Sequence, residues 1–168
     1  MKRERAQGMT TPETHSIIEM VQHLIAARLT PHDLMAQIVR ALGEAFDFID
    51  VGVLLLDPAQ PAWLVLRASN YPGLPDAVDR YRQPAGDGVV GRALRSGRQV
   101  LVPDVRQDPD YRPLPGAAVV AELATPIRVG GEVVGVLNVE SLHPISPEEA
   151  AATATVATLL GSALEAER

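Results

Sequence analysis

The chain has 168 residues, 46% of them apolar and 21% charged, with a formal net charge of −6 and no cysteine. That is enough chain to bury a core without disulfides or a structural metal. The acidic balance argues against a nucleic-acid module, which shows a basic patch, and the missing thiol removes cysteine nucleophiles, thiolate metal sites and thioether-linked chromophores.

Residues 1–12 are charged and polar with no apolar run behind them, so they read as a disordered N-terminal segment rather than a leader peptide. No stretch reaches the roughly 18 apolar residues of a membrane span. The expectation is a cytoplasmic protein with a single domain over 13–168. A helix is predicted over 13–29 from the stripe Ile17, Val21, Leu24 and Ile25. A second helix starts at Thr30, with Pro31 at its first position, Asp33 placed to reciprocate the cap, and Leu34, Ile38, Leu42 and Phe46 on one face.

The period then changes. Residues 47–57 and 62–70 read as two strands joined by the short connection around Pro58 and Pro61. Residues 71–86 carry four prolines and read as a loop with room for a short helix near 75–82. A helix follows over 88–96, stopped by Gly97. Residues 98–104 are a third strand and 105–116 a long loop. Residues 121–129 and 132–141 are two strands joined by Gly130-Gly131, a pair suited to a type I′ turn because both positions need positive φ. Ser146, Pro147, Glu148 and Glu149 open a last helix with Val156, Leu159, Leu160, Ala163 and Leu164 on its apolar side. Its last residues lack a glycine stop, which leaves open either continuation into an output module or fraying at a terminus.

Gly86, Gly88 and Gly91 spell the G-x-G-x-x-G of a dinucleotide site, and Asp104 stands 18 residues past Gly86, where a ribose-binding acid would be sought. The context is wrong for it. The residues before the glycines are polar and include a proline, so they are no buried parallel strand, and the helix after them is short for a crossover. The glycines read instead as local devices: relief at a sharp turn, a cap at Asp87, and close approach at Gly91.

The blocks QPAGDGVVGRALRSGRQVLVPDVRQDPDY and AELATPIRVGGEVVGVLNVES, followed by a helix, resemble a GAF domain over roughly residues 30–165. The resemblance implies an α+β fold: a central antiparallel sheet with the terminal helices on one face and, on the other, a ligand pocket roofed by loops and short helices. The family includes cyclic-nucleotide sensors, bilin photoreceptors, haem sensors, nitrate- and amino-acid-type sensors, and an enzyme branch that reduces free methionine-R-sulfoxide. Where that branch shows Gly-Val-Cys-Gly, this chain has Gly88-Val89-Val90-Gly91. Nothing resembles the N-K-x-x-F pattern of the cyclic-nucleotide branch. A shared metal is not supported by His15 and His23, which stand about 12 Å apart along a helix, nor haem by His143 alone.

Alternation along 132–141 puts Val133, Gly135, Leu137 and Val139 on the helix-covered face, and Val134, Val136, Asn138 and Glu140 on the other. The second set has the make-up of a pocket floor. In the sulfoxide-reducing branch, the positions matching Glu122, Asn138 and Glu140 hold the substrate's amino group; the amide here puts the same ligand in doubt. The alternative is a solvated polar face paired with Arg112 or Arg128. Asp104, Asp108 and Tyr111 lie on the expected lid loop, where Asp-Pro-Asp is also ordinary turn chemistry. Trp63, Tyr71 and Tyr81 are available either to the pocket or to rim packing. The ligand-binding set is therefore Glu122, Asn138, Glu140, Val134, Val136, Asp104, Tyr111 and Val90, with no catalytic or metal-binding residue and no cofactor identified. The expected function is a non-enzymatic sensor of a small molecule of unknown identity, homodimeric through its N- and C-terminal helices and passing its signal to an output domain or a partner kinase or regulator. The alternatives are a ligand-free structural dimerisation domain and a cysteine-free enzyme using Glu122 and Glu140.

Overall fold

The computed structural model describes residues 11–168. The expected disorder of the N-terminal segment falls largely on residues 1–10, which lie outside the described residues. Thr11 itself caps the first helix, its side chain accepting from the Thr14 N–H, with Pro12 in the first turn. Helix α1 (Pro12–Ala26) and helix α2 (Pro31–Phe46) come first. The capping at Thr30 is as expected: its hydroxyl accepts from the Asp33 N–H and donates to the Asp33 carboxylate.

Strands β1 (Asp50–Leu56) and β2 (Trp63–Ser69) form the expected antiparallel hairpin. The segment read as a loop yields a third strand, β3 (Arg82–Pro84), and turns but no helix around 75–82. Three residues ending in proline carry no period; β3 exists because the edge of β2 offers it unpaired backbone groups. Helix α3 (Gly88–Ser96) ends at Gly97 in the left-handed region, as its sequence predicts. Strand β4 is shorter than expected, Val100–Val102, and is followed by a single 3₁₀ turn at Val105–Gln107.

Strands β5 (Ala121–Val129) and β6 (Glu132–Ser141) pair through Gly130 and Gly131, whose φ values of 58° and 82° fit the predicted turn. Helix α4 (Pro147–Ala166) opens on a full capping box between Ser146 and Glu149.

The six strands make one antiparallel sheet in the order β3-β2-β1-β6-β5-β4. One face carries the main core: Val51, Val53, Leu123, Leu137 and Val139 pack against Ile17, Ile38, Leu42, Val156 and Leu160 of α1, α2 and α4. The other face carries a smaller cluster in which Leu54, Leu64, Ala124 and Val136 pack against Val89, Val90 and Ala93 of α3. The fold is the α+β arrangement expected from the sequence. Among the described residues no helix is long and apolar enough to cross a membrane.

One strand breaks the alternation assumed above. Ile127 pairs with Gly135 and Arg128 with Val133, so Val134 is an extra residue on β6. Such a bulge flips side chains locally. Val134 therefore packs against the helix-side core rather than the pocket, a correction to its expected place.

Candidate functional site

Between the sheet and the excursion over 71–118 lies a cavity of about 550 Å³. Its floor is the middle of the sheet. β1 contributes Asp50, Gly52 and Leu54, β6 contributes Asn138 and Glu140, and β5 contributes Glu122. Its roof comes from the start of α3, with Val89 and Val90, and from Arg112–Pro115 of the lid loop. Tyr71, Leu74 and Tyr81 close the side.

Register explains why the polar groups meet. Glu140 pairs with Asp50 on one side and with Glu122 on the other. The three carboxyls therefore occupy a single rung across β1, β6 and β5, and directly opposite side chains share a face. Asn138 stands two residues along β6, on the same face. Glu122, Asn138 and Glu140 are 4%, 8% and 5% exposed. Like charges opposite one another repel, and burial penalises the charged form.

The carboxyls respond accordingly. Burial pushes Glu140 up to about 9, with Glu122 and Asp50 adding to the rise. Burial pushes Glu122 up to about 7, partly offset by the neighbouring Asn138 amide and by Arg92. Asp50 rises to about 6 through burial, moderated by the hydroxyl of Ser69, which donates to it at 3.1 Å.

The neutralising partners considered from sequence are engaged elsewhere. Arg112 lines the cavity but pairs with Asp87, and Arg128 donates to the carbonyls of Gly97 and Gly131. Asn138 Oδ1 and Glu140 Oε2 are buried with no hydrogen-bond partner. A buried acceptor left unpaired costs about 1–3 kcal/mol, so this floor is built at the expense of stability.

The structure brings Glu122, Asn138, Glu140 and Val90 to the cavity. Val136 packs in the apolar cluster beside it. Tyr111 joins that cluster from the lid without lining the cavity, and its hydroxyl accepts from the Leu114 N–H at 3.4 Å, which shapes the lid turn. Asp104 does not reach the cavity. It caps the 3₁₀ turn and pairs with Arg106, which holds its carboxyl down at about 2. Its role is the turn chemistry, because a short carboxylate two residues before a free N–H closes locally before it can reach anything distant. Trp63 lies outside, 37% exposed, with the Arg82 guanidinium over its ring at 5.5 Å.

Asp50, Ser69 and Gln83 line the cavity and escaped the sequence reading. Asp50 leads an alternation with Gly52 and Leu54 that could have singled it out. Asp87 occupies the N-cap of α3 without a capping hydrogen bond, since its carboxylate goes to Arg112. The lid is further fastened by Arg92 to Asp108 at 2.7 Å and by the Tyr71 hydroxyl donating to the Pro115 carbonyl. Among the described residues no cluster of three or more His, Cys, Asp or Glu side chains could hold a metal ion. His143 is turned to the backbone carbonyls of Phe46, Asp47 and Pro144.

Proteins with this architecture are known. The chain is 33% identical to Protein YtsP of Bacillus subtilis over 138 residues, 82% of this chain and 72% of that one. The GAF domain of an Acinetobacter phosphoenolpyruvate-protein phosphotransferase superposes with a TM-score of 0.81 at 20% identity, covering 92% of this chain and 93% of that one. A free methionine-R-sulfoxide reductase from Neisseria meningitidis, solved with its substrate, gives 0.80 at 24% identity, covering 99% and 98%. At such identities these two structures speak to the fold alone. A family profile described as GAF domain matches residues 28–165, which takes in every strand of the sheet and every residue of the cavity floor. With the sheet order, the helix-covered face and the roofed cavity in agreement, this chain belongs to the GAF domain family.

Proposed function

We propose that this GAF domain is a non-enzymatic sensor module of the cytoplasm, which binds a small polar molecule in the cavity and passes the event to its terminal helices. One observation carries the reading: a cavity of about 550 Å³ whose floor keeps Asn138 Oδ1 and Glu140 Oε2 buried and unpartnered. Such groups are tolerated where a ligand or water satisfies them. The 168 residues contain no thiol, so the cysteine chemistry of a sulfoxide reductase has no nucleophile here.

The route from ligand to output follows from strand alternation. Asp50 and Glu140 face the cavity, while their chain neighbours Val51 and Val139 pack under α1, α2 and α4. A ligand that draws the floor carboxyls together biases the packing of those helices by its differential affinity for two arrangements. The terminal helices pair between two copies of the chain, and α4 hands the change to an output domain or a partner kinase or regulator. Met20 is 49% exposed beside a shallow groove lined by Pro12, Ile17, Ala41 and Ala45, which supports α1 as part of that contact.

The test is a thermal-shift screen against amino acids, amines, nitrate and nucleotides. A ligand that binds only the folded state raises the midpoint, and the rise should vanish in Glu140→Gln. A flat screen, together with a cavity that closes on its own side chains in a crystal, would favour a ligand-free dimerisation domain.

A further inference from the structure

The floor of the cavity is richer in acceptors than any one point charge can use. Asp50, Glu140 and Glu122 lie on adjacent strands of one rung. Neighbouring strands are about 4.8 Å apart, so the outer two carboxyls belong to strands separated by about 10 Å. The three do not converge on a common point that could hold a metal ion. Glu140 Oε2 and Asn138 Oδ1, both buried, have no donor at all.

Donors from the protein are few and mostly committed. Ser69 donates to Asp50. Arg112, the one basic side chain among the described lining residues, is paired with Asp87. Tyr81 donates to Gln83, and Gln83 to the carbonyl of Asp87. A ligand that brings N–H groups and positive charge to more than one place along the rung displaces the protons that burial holds on these carboxyls and pairs with the carboxylates left behind. Between the polar positions the walls are apolar: Leu54, Leu66, Leu74, Val89, Val90 and Leu114. That suits a short hydrocarbon chain joining two polar heads.

We infer that Asp50 is a third binding carboxylate of this cavity, and that the rung Asp50–Glu140–Glu122 receives an organic dication with two N–H-bearing heads on a short chain, a diamine or a guanidino-amine. This rests on the ligand-binding reading above and names the ligand class for the same site. One head lies between Glu122 and Glu140 and donates an N–H to Asn138 Oδ1. The second reaches Asp50, whose hydrogen bond from Ser69 fixes its orientation. A monocation satisfies one end of the rung and leaves the other carboxyl without a partner.

Calorimetric titration of the intact chain with cadaverine, agmatine, n-pentylamine and uncharged n-pentylurea tests it. Cadaverine or agmatine is expected to bind about tenfold or more tighter than n-pentylamine, the value of one further charge-assisted hydrogen bond. Asp50→Asn should bring the dications down to the affinity that the same variant shows for n-pentylamine, and the variant's fold is checked by its circular dichroism. Carboxyl ¹³C shifts report contact directly: the Asp50 signal should move with the dications and stay still with n-pentylamine. If n-pentylamine or n-pentylurea binds as tightly as the dications and the Asp50 signal is unmoved, the dication assignment fails while the cavity remains a ligand site. If no probe moves any of the Asp50, Glu122 or Glu140 signals, the dication assignment falls, and the sensor reading is then decided by the wider thermal-shift screen.

Discussion

At the residue scale the floor carboxyls dominate. In the folded protein Asp50, Glu122 and Glu140 hold their protons to about 6, 7 and 9, against ordinary values of 3.8, 4.5 and 4.5. The folded state thus binds protons more tightly than the unfolded chain, and stability falls as pH rises through that window. The groups acting on this rung include one another, Asp108 and Arg92. Between about pH 7 and pH 9 the extra proton resides mainly on Glu140, and roughly 1 kcal/mol is lost per pH unit. Urea denaturation at pH 6 and pH 9 should show this loss in the unliganded protein. Glu140→Gln should flatten the upper part of the profile and be the more stable form at pH 9; parallel profiles for the two proteins would refute burial of this charge as the cause.

At the element scale the start of α3 is set by close packing. A Cβ at Gly91 would overlap the backbone of Gly86 and the carbonyl of Ala85, both on the chain leading into the helix. Gly91→Ala should cost about 1–3 kcal/mol and loosen the cavity roof, seen as a lower unfolding midpoint and faster amide exchange around Val89 and Val90. Helix α4 offers a milder probe. Ser146→Ala removes one half of the capping box and should cost about 1 kcal/mol, read from the denaturation midpoint, with the cavity untouched. These two elements were legible from sequence because their signals are local: a glycine stop at Gly97 and a Ser-Pro-Glu-Glu start. Strand β3 was not, because its existence depends on the edge of β2. The bulge at Val134 was not, because Gly135, the one mark of irregularity in EVVGVLNVES, signals either a bulge or a close backbone approach and does not say which residue is the extra one.

At the scale of the whole molecule the sheet joins two cores. The helix side holds most of the buried apolar residues, and the cavity side pairs a small cluster with a polar floor. The proposed dimer forms on the first side and the proposed ligand site lies on the second. Sedimentation velocity should find a dimer, and Met20→Glu should shift it toward monomer by placing a charge in the apolar contact beside Ile17 and Ala41. A monomer at all accessible concentrations would remove the helix-pairing route for the signal.

The sequence by itself determined the helices, the long strands, the Gly130-Gly131 turn and the separation of Leu137 and Val139 from Asn138 and Glu140. Caps, turns and periodicity act over a few residues, so each is written where it operates. It also excluded thiol chemistry outright. Only the tertiary structure decided which polar residues share the site. Asp50 joins Glu140 through pairing between distant strands β1 and β6, and Glu140 in turn pairs with Glu122 across the β5–β6 hairpin; Asp104, close in sequence to the lid, is drawn away by Arg106. Strand register is a long-range choice made by the packing of both sheet faces together, and it set both the acidic rung and its want of a partner.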